Sequence, residues 1–180
     1  RAADSSHIVV GQVTVPSGVR LTIEAGCEIL IRPEVGFTIQ GEVQARGTSA
    51  SPIRFTSLPC QENWGHFQFS DSLGENLFKY CEWSHSLGDP GCLALTDSNL
   101  ELDGCALRDI DGEGVHAFQC KTRIRNCLTE RTEEAFSLNH GDTVVEFCTV
   151  RNAIGKSDLI DANGSEDPPA RIAFNHLYGT

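Results

Sequence analysis

The chain has 180 residues with 39% hydrophobic character, which suits one domain able to bury a substantial core. Its formal net charge of -11 argues against nucleic acid and anionic membrane as partners, because both would be repelled. No uninterrupted apolar run approaches the ~20 residues that span a bilayer, so membrane insertion is not expected.

The chain opens on Arg1-Ala-Ala-Asp-Ser-Ser, which carries no apolar stretch of signal-peptide type. That implies a processed chain or an excerpt from a longer one. Residues 7–57 then read as short regular strands. The run from Val13 to Gly26 is Val-Thr-Val-Pro-Ser-Gly-Val-Arg-Leu-Thr-Ile-Glu-Ala-Gly, and Glu28–Pro33, Gly36–Gly41, Glu42–Gly47 and Pro52–Ser57 follow. They alternate Val, Ile and Thr with polar residues and are punctuated by Pro-Ser-Gly, Ala-Gly and Gly-Thr.

From residue 58 onward a repeat takes over. Cys81, Cys105, Cys127, Cys148 and Asn175 recur at spacings of 24, 22, 21 and 27. An apolar residue lies three positions before each: Phe78, Leu102, Ile124, Val145 and Ile172. Two positions after come Trp83, Leu107, Thr129, Val150 and Leu177. Alternating pairs such as Leu93/Leu95, Val115/Ala117 and Phe136/Leu138 precede the copies, and Gly-bearing corners such as 111–114 and 139–142 separate them.

No stretch carries a helical apolar stripe long enough for a crossover helix. Repeated short strands without helices predict an all-β, right-handed parallel β-helix with coils of about 21–28 residues. Residues 1–180 are expected to form one domain, with regular coils over 1–57 and Cys-ladder coils over 58–180. Cys81, Cys105, Cys127, Cys148 and Asn175 should then share one inward column of packed thiols ending in an amide, although neighbouring coils also lie within disulfide reach. Cys27, Cys60, Cys92 and Cys120 fall outside it, and their state is open. No CxxC pair occurs, which speaks against structural zinc. The register also stacks Arg108, Glu130 and Arg151 in one surface column and His85, Asp109, Arg131 and Asn152 in the next, as cross-coil charge pairs.

The Val13–Gly26 run, with Gly41, Ala45-Arg-Gly-Thr48 and Pro52-Ile-Arg-Phe-Thr-Ser57, resembles the opening coils of extracellular right-handed parallel β-helix proteins of the pectate-lyase-like superfamily. Asn63-Trp-Gly-His-Phe-Gln-Phe69 is similar to the Trp-Gly strand that often follows in that superfamily, and the Cys copies resemble its generic repeats. The resemblance covers nearly the whole chain. It implies an extracellular or cell-surface setting and a carbohydrate-related role. It does not choose among lyases, hydrolases, adhesins and inert scaffolds.

Polygalacturonase-type chemistry needs an adjacent Asp-Asp pair and an Arg-x-Lys, and neither occurs here. Acidic residues gather at the expected corners: Asp109, Asp111 and Glu113, then Glu133 and Glu134, then Asp158 and Asp161. With Arg131 or Lys156 as base, such a cluster would suit a Ca2+-dependent lyase; no other cofactor is indicated. At outward positions on the predicted strand before each corner, Asp97, His116, Phe118, Gln119, Asn139 and His140 form a candidate ligand face, in which an aromatic among amides and imidazoles suits a sugar. Asn163-Gly-Ser165 fits a glycosylation acceptor and equally a turn.

Three functions follow as expectations. The first is a non-catalytic extracellular scaffold that presents a face to glycan or protein. The alternatives are a polysaccharide lyase or glycoside hydrolase, and an oligomeric adhesive fibre. The end at Thr180 falls in mid-coil, which predicts cover by further coils or another chain.

Overall fold

The computed structural model describes residues 6–154, 159–164 and 169–178, and these form an all-β parallel solenoid of about seven turns. Each turn contributes a strand to three long sheets. The first sheet stacks Ser6–Val9, Glu28–Ile31, Ile53–Ser57, Cys81–Ser84, Ala106–Arg108, Leu128–Glu130, Thr149–Arg151 and His176–Leu177. The second stacks Val13–Val15, Phe37–Ile39, Phe67–Ser70, Leu93–Thr96, Asp111–Phe118, Glu134–Asn139 and Ile160–Asp161. The third runs from Arg20–Glu24 through Glu42–Arg46, Leu77–Lys79, Asn99–Asp103, Lys121–Arg125 and Asp142–Glu146 to Arg171–Ala173. No helix occurs among the described residues.

One register line gives the period. Ser6, Glu28, Arg54, Glu82, Ala106, Leu128, Thr149 and His176 pair in turn, at separations of 22, 26, 28, 24, 22, 21 and 27 residues. The expected range of 21–28 therefore holds along the whole described chain.

Alternation sends every second side chain inward, and the stacked register turns those residues into columns. Ile29, Phe55, Trp83, Leu107, Thr129 and Val150 form one column, and Ala45, Phe78, Leu102, Ile124 and Val145 another. All eleven are buried. The lower coils are filled by rings: Phe37 stacks on Phe67 at 4.3 Å and Phe55 on Trp83 at 5.5 Å, while Phe78 meets Trp83 edge-on at 5.2 Å. Higher up, aliphatic and Thr side chains fill the same cross-section. Ile172 and Leu177 occupy these columns in the last described coil and are exposed.

The corners are built differently from the Gly-bearing turns expected from sequence. The second-to-third sheet corner places Asp71, Asp97, Gln119 and His140 at positive φ. The third-to-first corner does so with Tyr80, Gly104, Asn126, Phe147 and Phe174, and the first-to-second with His85, Asp109, Arg131 and Asn152. Each non-glycine residue in that region costs about 1–3 kcal/mol. A parallel ladder offsets the cost, since the amide of one corner donates to the coil above, as in Asp97 N to Phe118 O at 3.1 Å and Gln119 N to Asn139 O at 2.9 Å.

The residue after the left-handed one turns inward, and here the Cys column acquires a role beyond filling space. The Cys81 amide meets Cys105 Sγ at 3.5 Å, and the Cys148 amide donates to Asn175 Oδ1 at 2.8 Å. In return, Cys105 Sγ contacts Phe78 O at 3.2 Å and Asn175 Nδ2 donates to Val145 O at 3.0 Å. A small side chain that both donates and accepts is what such a corner requires, and Cys and Asn meet that need. Ser72, Ser98 and Cys120 repeat the arrangement at the next corner, with Ser72 N to Ser98 Oγ at 3.0 Å and Ser98 N to Cys120 Sγ at 3.4 Å.

Two local expectations need correction. Residues 111–114 are not a corner: Asp111–Phe118 is one continuous strand, and the chain turns at Asp109 instead. Trp64-Gly65 is not part of a strand either. Trp64 makes isolated bridges to Pro33 and Ser86 and is fully buried, with its indole N–H on Ser84 O at 2.9 Å.

Candidate functional site

The outer face of the first sheet is a ladder of paired charges. Arg108, Glu130 and Arg151 are register partners, and Asp109 and Arg131 follow them into the corner. Glu130, only 8% exposed, lies within 2.9 Å of Arg131, 3.3 Å of Arg151 and 3.6 Å of Arg108. Asn152 Nδ2 donates to Glu130 Oε1, the oxygen that Arg131 also contacts, at 3.2 Å. Burial pushes the Glu130 carboxyl up, but the hydrogen bond from Arg151 and the charges of Arg131 and Arg151 outweigh it and hold it below the usual range. Arg131 binds Asp109 in a two-pronged contact at 2.5 and 2.8 Å, and the Asp109 carboxyl is lowered chiefly by that bond. Acceptors and donors on this face are largely committed to one another.

The second sheet carries the candidate ligand face. Thr96, Phe118 and Asn139 are register partners on its outer side, and Ala94, His116 and Ser137 form the neighbouring outer column. Asp97, Gln119 and His140 stand one residue beyond, in the left-handed corner rather than on the strands. All six sequence-selected residues thus meet on one surface. Phe118 is 41% exposed, and His140 from the next coil meets its ring edge-on at 5.4 Å. Asn163 lies above, bonded through its carbonyl to His140 N at 2.7 Å and through its carboxamide to Asp161 at 2.6 Å. Gly164 sits so close to the His140 imidazole that a Cβ there would collide with it.

Sequence reasoning missed the pairing of His116 Nδ1 with Glu113 Oε2 at 2.8 Å. The signal is a three-residue spacing, which a corner at 111–114, as the glycines there suggest, would break by carrying Glu113 away from the strand. Ser137 is the register partner of His116. Its hydroxyl accepts from Asn139 Nδ2 at 3.4 Å. Sequence reasoning also missed a groove of about 580 Å3 over the third sheet, lined in part by Arg46, Glu101 and Lys121.

Among the acidic residues, Glu113 and Glu134 are register partners on adjacent coils, and the Glu133 amide donates to Gly112 O at 2.9 Å. Asp109 is taken by Arg131 and Glu113 by His116; Asp111 and Glu134 lie on strands of the second sheet, and Glu133 directly precedes the latter. Asp161 is bonded to Asn163, while Asp158 and Lys156 lie outside the described residues. Among the described residues no group of three His, Cys, Asp or Glu side chains is placed to hold a metal ion. All eight cysteines are unpaired, with Cys60 exposed and Cys27 half-buried. Burial pushes the Cys81 and Cys127 thiols up and the Cys92 thiol up to about 12, so these pack as neutral groups.

Fold and surface together define a parallel β-solenoid whose outer faces are residue ladders, one internally paired and one open to solvent. Comparison with known protein families, curated proteins and solved structures finds no match to the chain.

Proposed function

We propose that this protein is a non-catalytic extracellular scaffold whose second sheet presents a glycan-binding face. The observation that carries the reading is Phe118: a large ring left 41% exposed, braced by His140 at 5.4 Å, with Gln119 and Asn139 beside it. An exposed ring offers a flat apolar surface to a sugar, and the flanking amides and imidazoles offer both donors and acceptors to its hydroxyls. The backbone ladder beneath these groups is formed before the ligand arrives, which limits the entropy lost on binding.

The test is retention on a glycan array by the full chain and by Phe118→Ala. Loss of the stacking contact, at about 0.5–1.5 kcal/mol beyond area, should weaken retention by roughly tenfold at an unchanged melting temperature. Equal retention by the variant, or none by either protein, would sink the proposal. Incubation with uronate polymers, with and without Ca2+, is the second arm. New reducing ends or unsaturated products would make the chain an enzyme instead.

A further inference from the structure

The third sheet departs from the regular coil at one place. Its strand Leu77–Lys79 is shorter than its neighbours Glu42–Arg46 and Asn99–Asp103, because the chain swings outward between Asp71 and Asn76. The gap in the ladder is closed by a side chain. Asn76 Oδ1 accepts the Val43 amide at 2.9 Å, and its Nδ2 donates to Asn99 O at 3.0 Å, as a peptide unit of the missing strand would. The same Nδ2 reaches Ser72 Oγ at 2.7 Å, and Ser72 Oγ in turn donates to Gly41 O. Asn99 Nδ2 holds Leu73 O at 2.6 Å, and Gln44 Nε2 holds Glu75 O at 2.6 Å. The outward loop is therefore a fixed wall.

Two grooves flank that wall, of about 580 and 400 Å3, and both are lined by Glu42, Leu73 and Gly74. The larger falls in the size range of small-ligand sites. Its lining takes Arg46, Leu77, Glu101 and Arg123 from four successive strands of the third sheet, so it spans four coils, or ~14 Å at the usual strand spacing. The backbone of that floor is engaged in the parallel ladder, so an added peptide strand finds no free edge there.

The charges around the groove separate into two sets. Glu42 is paired with Arg20 at 2.7 Å, and Arg123 is held by Asp142 at 2.6 Å. By contrast, Lys121, Glu75 and Glu101 have no ion-pair partner among the described residues, and the Arg46 guanidinium binds only the neutral Gln44 carboxamide at 2.7 Å. Two cations and two carboxylates without an ion-pair partner among the described residues thus line the same concave surface, beside the exposed apolar side chain of Leu73. An anionic ligand would meet Glu75 and Glu101, and a cationic one would meet Lys121 and Arg46. A hydroxyl-rich neutral ligand avoids both conflicts, because each hydroxyl donates to a carboxylate and accepts from a cation at once.

We infer that this groove is a second ligand site, separate from the Phe118 face, and that its ligand is an uncharged oligosaccharide. The inference does not depend on the second-sheet reading. The full chain is titrated by calorimetry with neutral tetrasaccharides of glucose, mannose, xylose and galactose, and with a uronate tetramer as the charged control. At least one neutral probe should saturate a single class of site. Each of the surface variants Glu101→Gln and Lys121→Ala should weaken it about tenfold, as expected when a charge-assisted bond is lost. Phe118→Ala should leave that affinity unchanged. Asn76→Ala removes buried bonds and can unfold the coil, so the two surface variants carry the test. Four results overturn the inference: no saturable neutral probe, a uronate that binds as tightly, indifference to both surface variants, or loss only in Phe118→Ala. The last of these would move the ligand to the second sheet and leave that reading intact.

Discussion

The outer faces of the first and second sheets stand on the same coils and share the same interior, yet they spend their polar groups in opposite ways. On the first, Glu130 sits among Arg108, Arg131 and Arg151, and Asp109 closes on Arg131. On the second, Phe118 is exposed between its register partners Thr96 and Asn139, and Gln119 and His140 stand at the equivalent corner positions of successive coils beside it. The lesson is that a solenoid face becomes available to a ligand when its ladder is not already its own partner. Charge density alone misleads: the more charged of these two faces has less to offer.

The largest effect should come from removing what both faces rest on. Trp83 is fully buried beneath the first sheet, stacked on Phe55 and packed edge-on against Phe78. Trp83→Ala should cost about 3–5 kcal/mol. Urea unfolding should show a single lowered midpoint, with the ion ladder and glycan retention lost together. A variant that unfolds one face before the other would show that the faces are not energetically joined.

Next in size is the corner column between the third and first sheets. Cys105→Ala leaves the buried Cys81 amide without its acceptor, at about 1–3 kcal/mol, whereas Cys105→Ser keeps a group that donates and accepts. The serine variant should therefore stay close to the parent by urea midpoint. If alanine and serine prove equal, the column is filler after all.

That column also marks how far the sequence could be read. The period, the sheet-lining residues and the Cys register were legible, because stacking forces equivalent residues to recur at whole-coil intervals, and apolar residues at -3 and +2 of each Cys repeat that interval. The co-location of Asp97, His116, Phe118, Gln119, Asn139 and His140 followed from the same register. The corner conformation was not legible. Tyr80, Arg131, Phe147 and Phe174 adopt a left-handed geometry that their side chains disfavour, imposed by hydrogen bonds between coils rather than by local preference. The Asn76 bridge was hidden for a related reason: an amide that replaces a backbone unit leaves no periodic trace.

Acid should erode the contrast between the faces in two stages. Burial holds the His66 imidazole below its ordinary value, against opposing pulls from Asp89 and Gln68. The unfolded chain therefore takes up that proton first, and stability declines as pH falls below ~6.5 toward the folded value. Asp109 and Glu130 are held low by their arginines, so their contribution is complete above ~4.5 and is lost as pH falls through their folded values. Urea midpoints across pH 3–8 should show both declines. Asp109→Asn, measured in the same series, should flatten the acid step and leave the upper one in place. An acid step of full size in that variant would show that the Arg131 contact contributes nothing.

The smallest effect has the opposite sign. Thr129 lies beneath the charge ladder, in the column that runs from Leu107 to Val150, and its hydroxyl is buried without a hydrogen-bond partner. An unsatisfied buried hydroxyl costs about 1–3 kcal/mol, and valine has nearly the same shape without that atom. Thr129→Val should therefore stabilise the chain by about 1 kcal/mol, the low end, because stacked neighbours already hold the side chain in place. The substitution touches neither outer face, so the ion ladder and glycan retention should both be unchanged. Destabilisation would mean that the hydroxyl finds a partner in solution, and the first sheet would then carry a polar contact in its interior as well as on its surface.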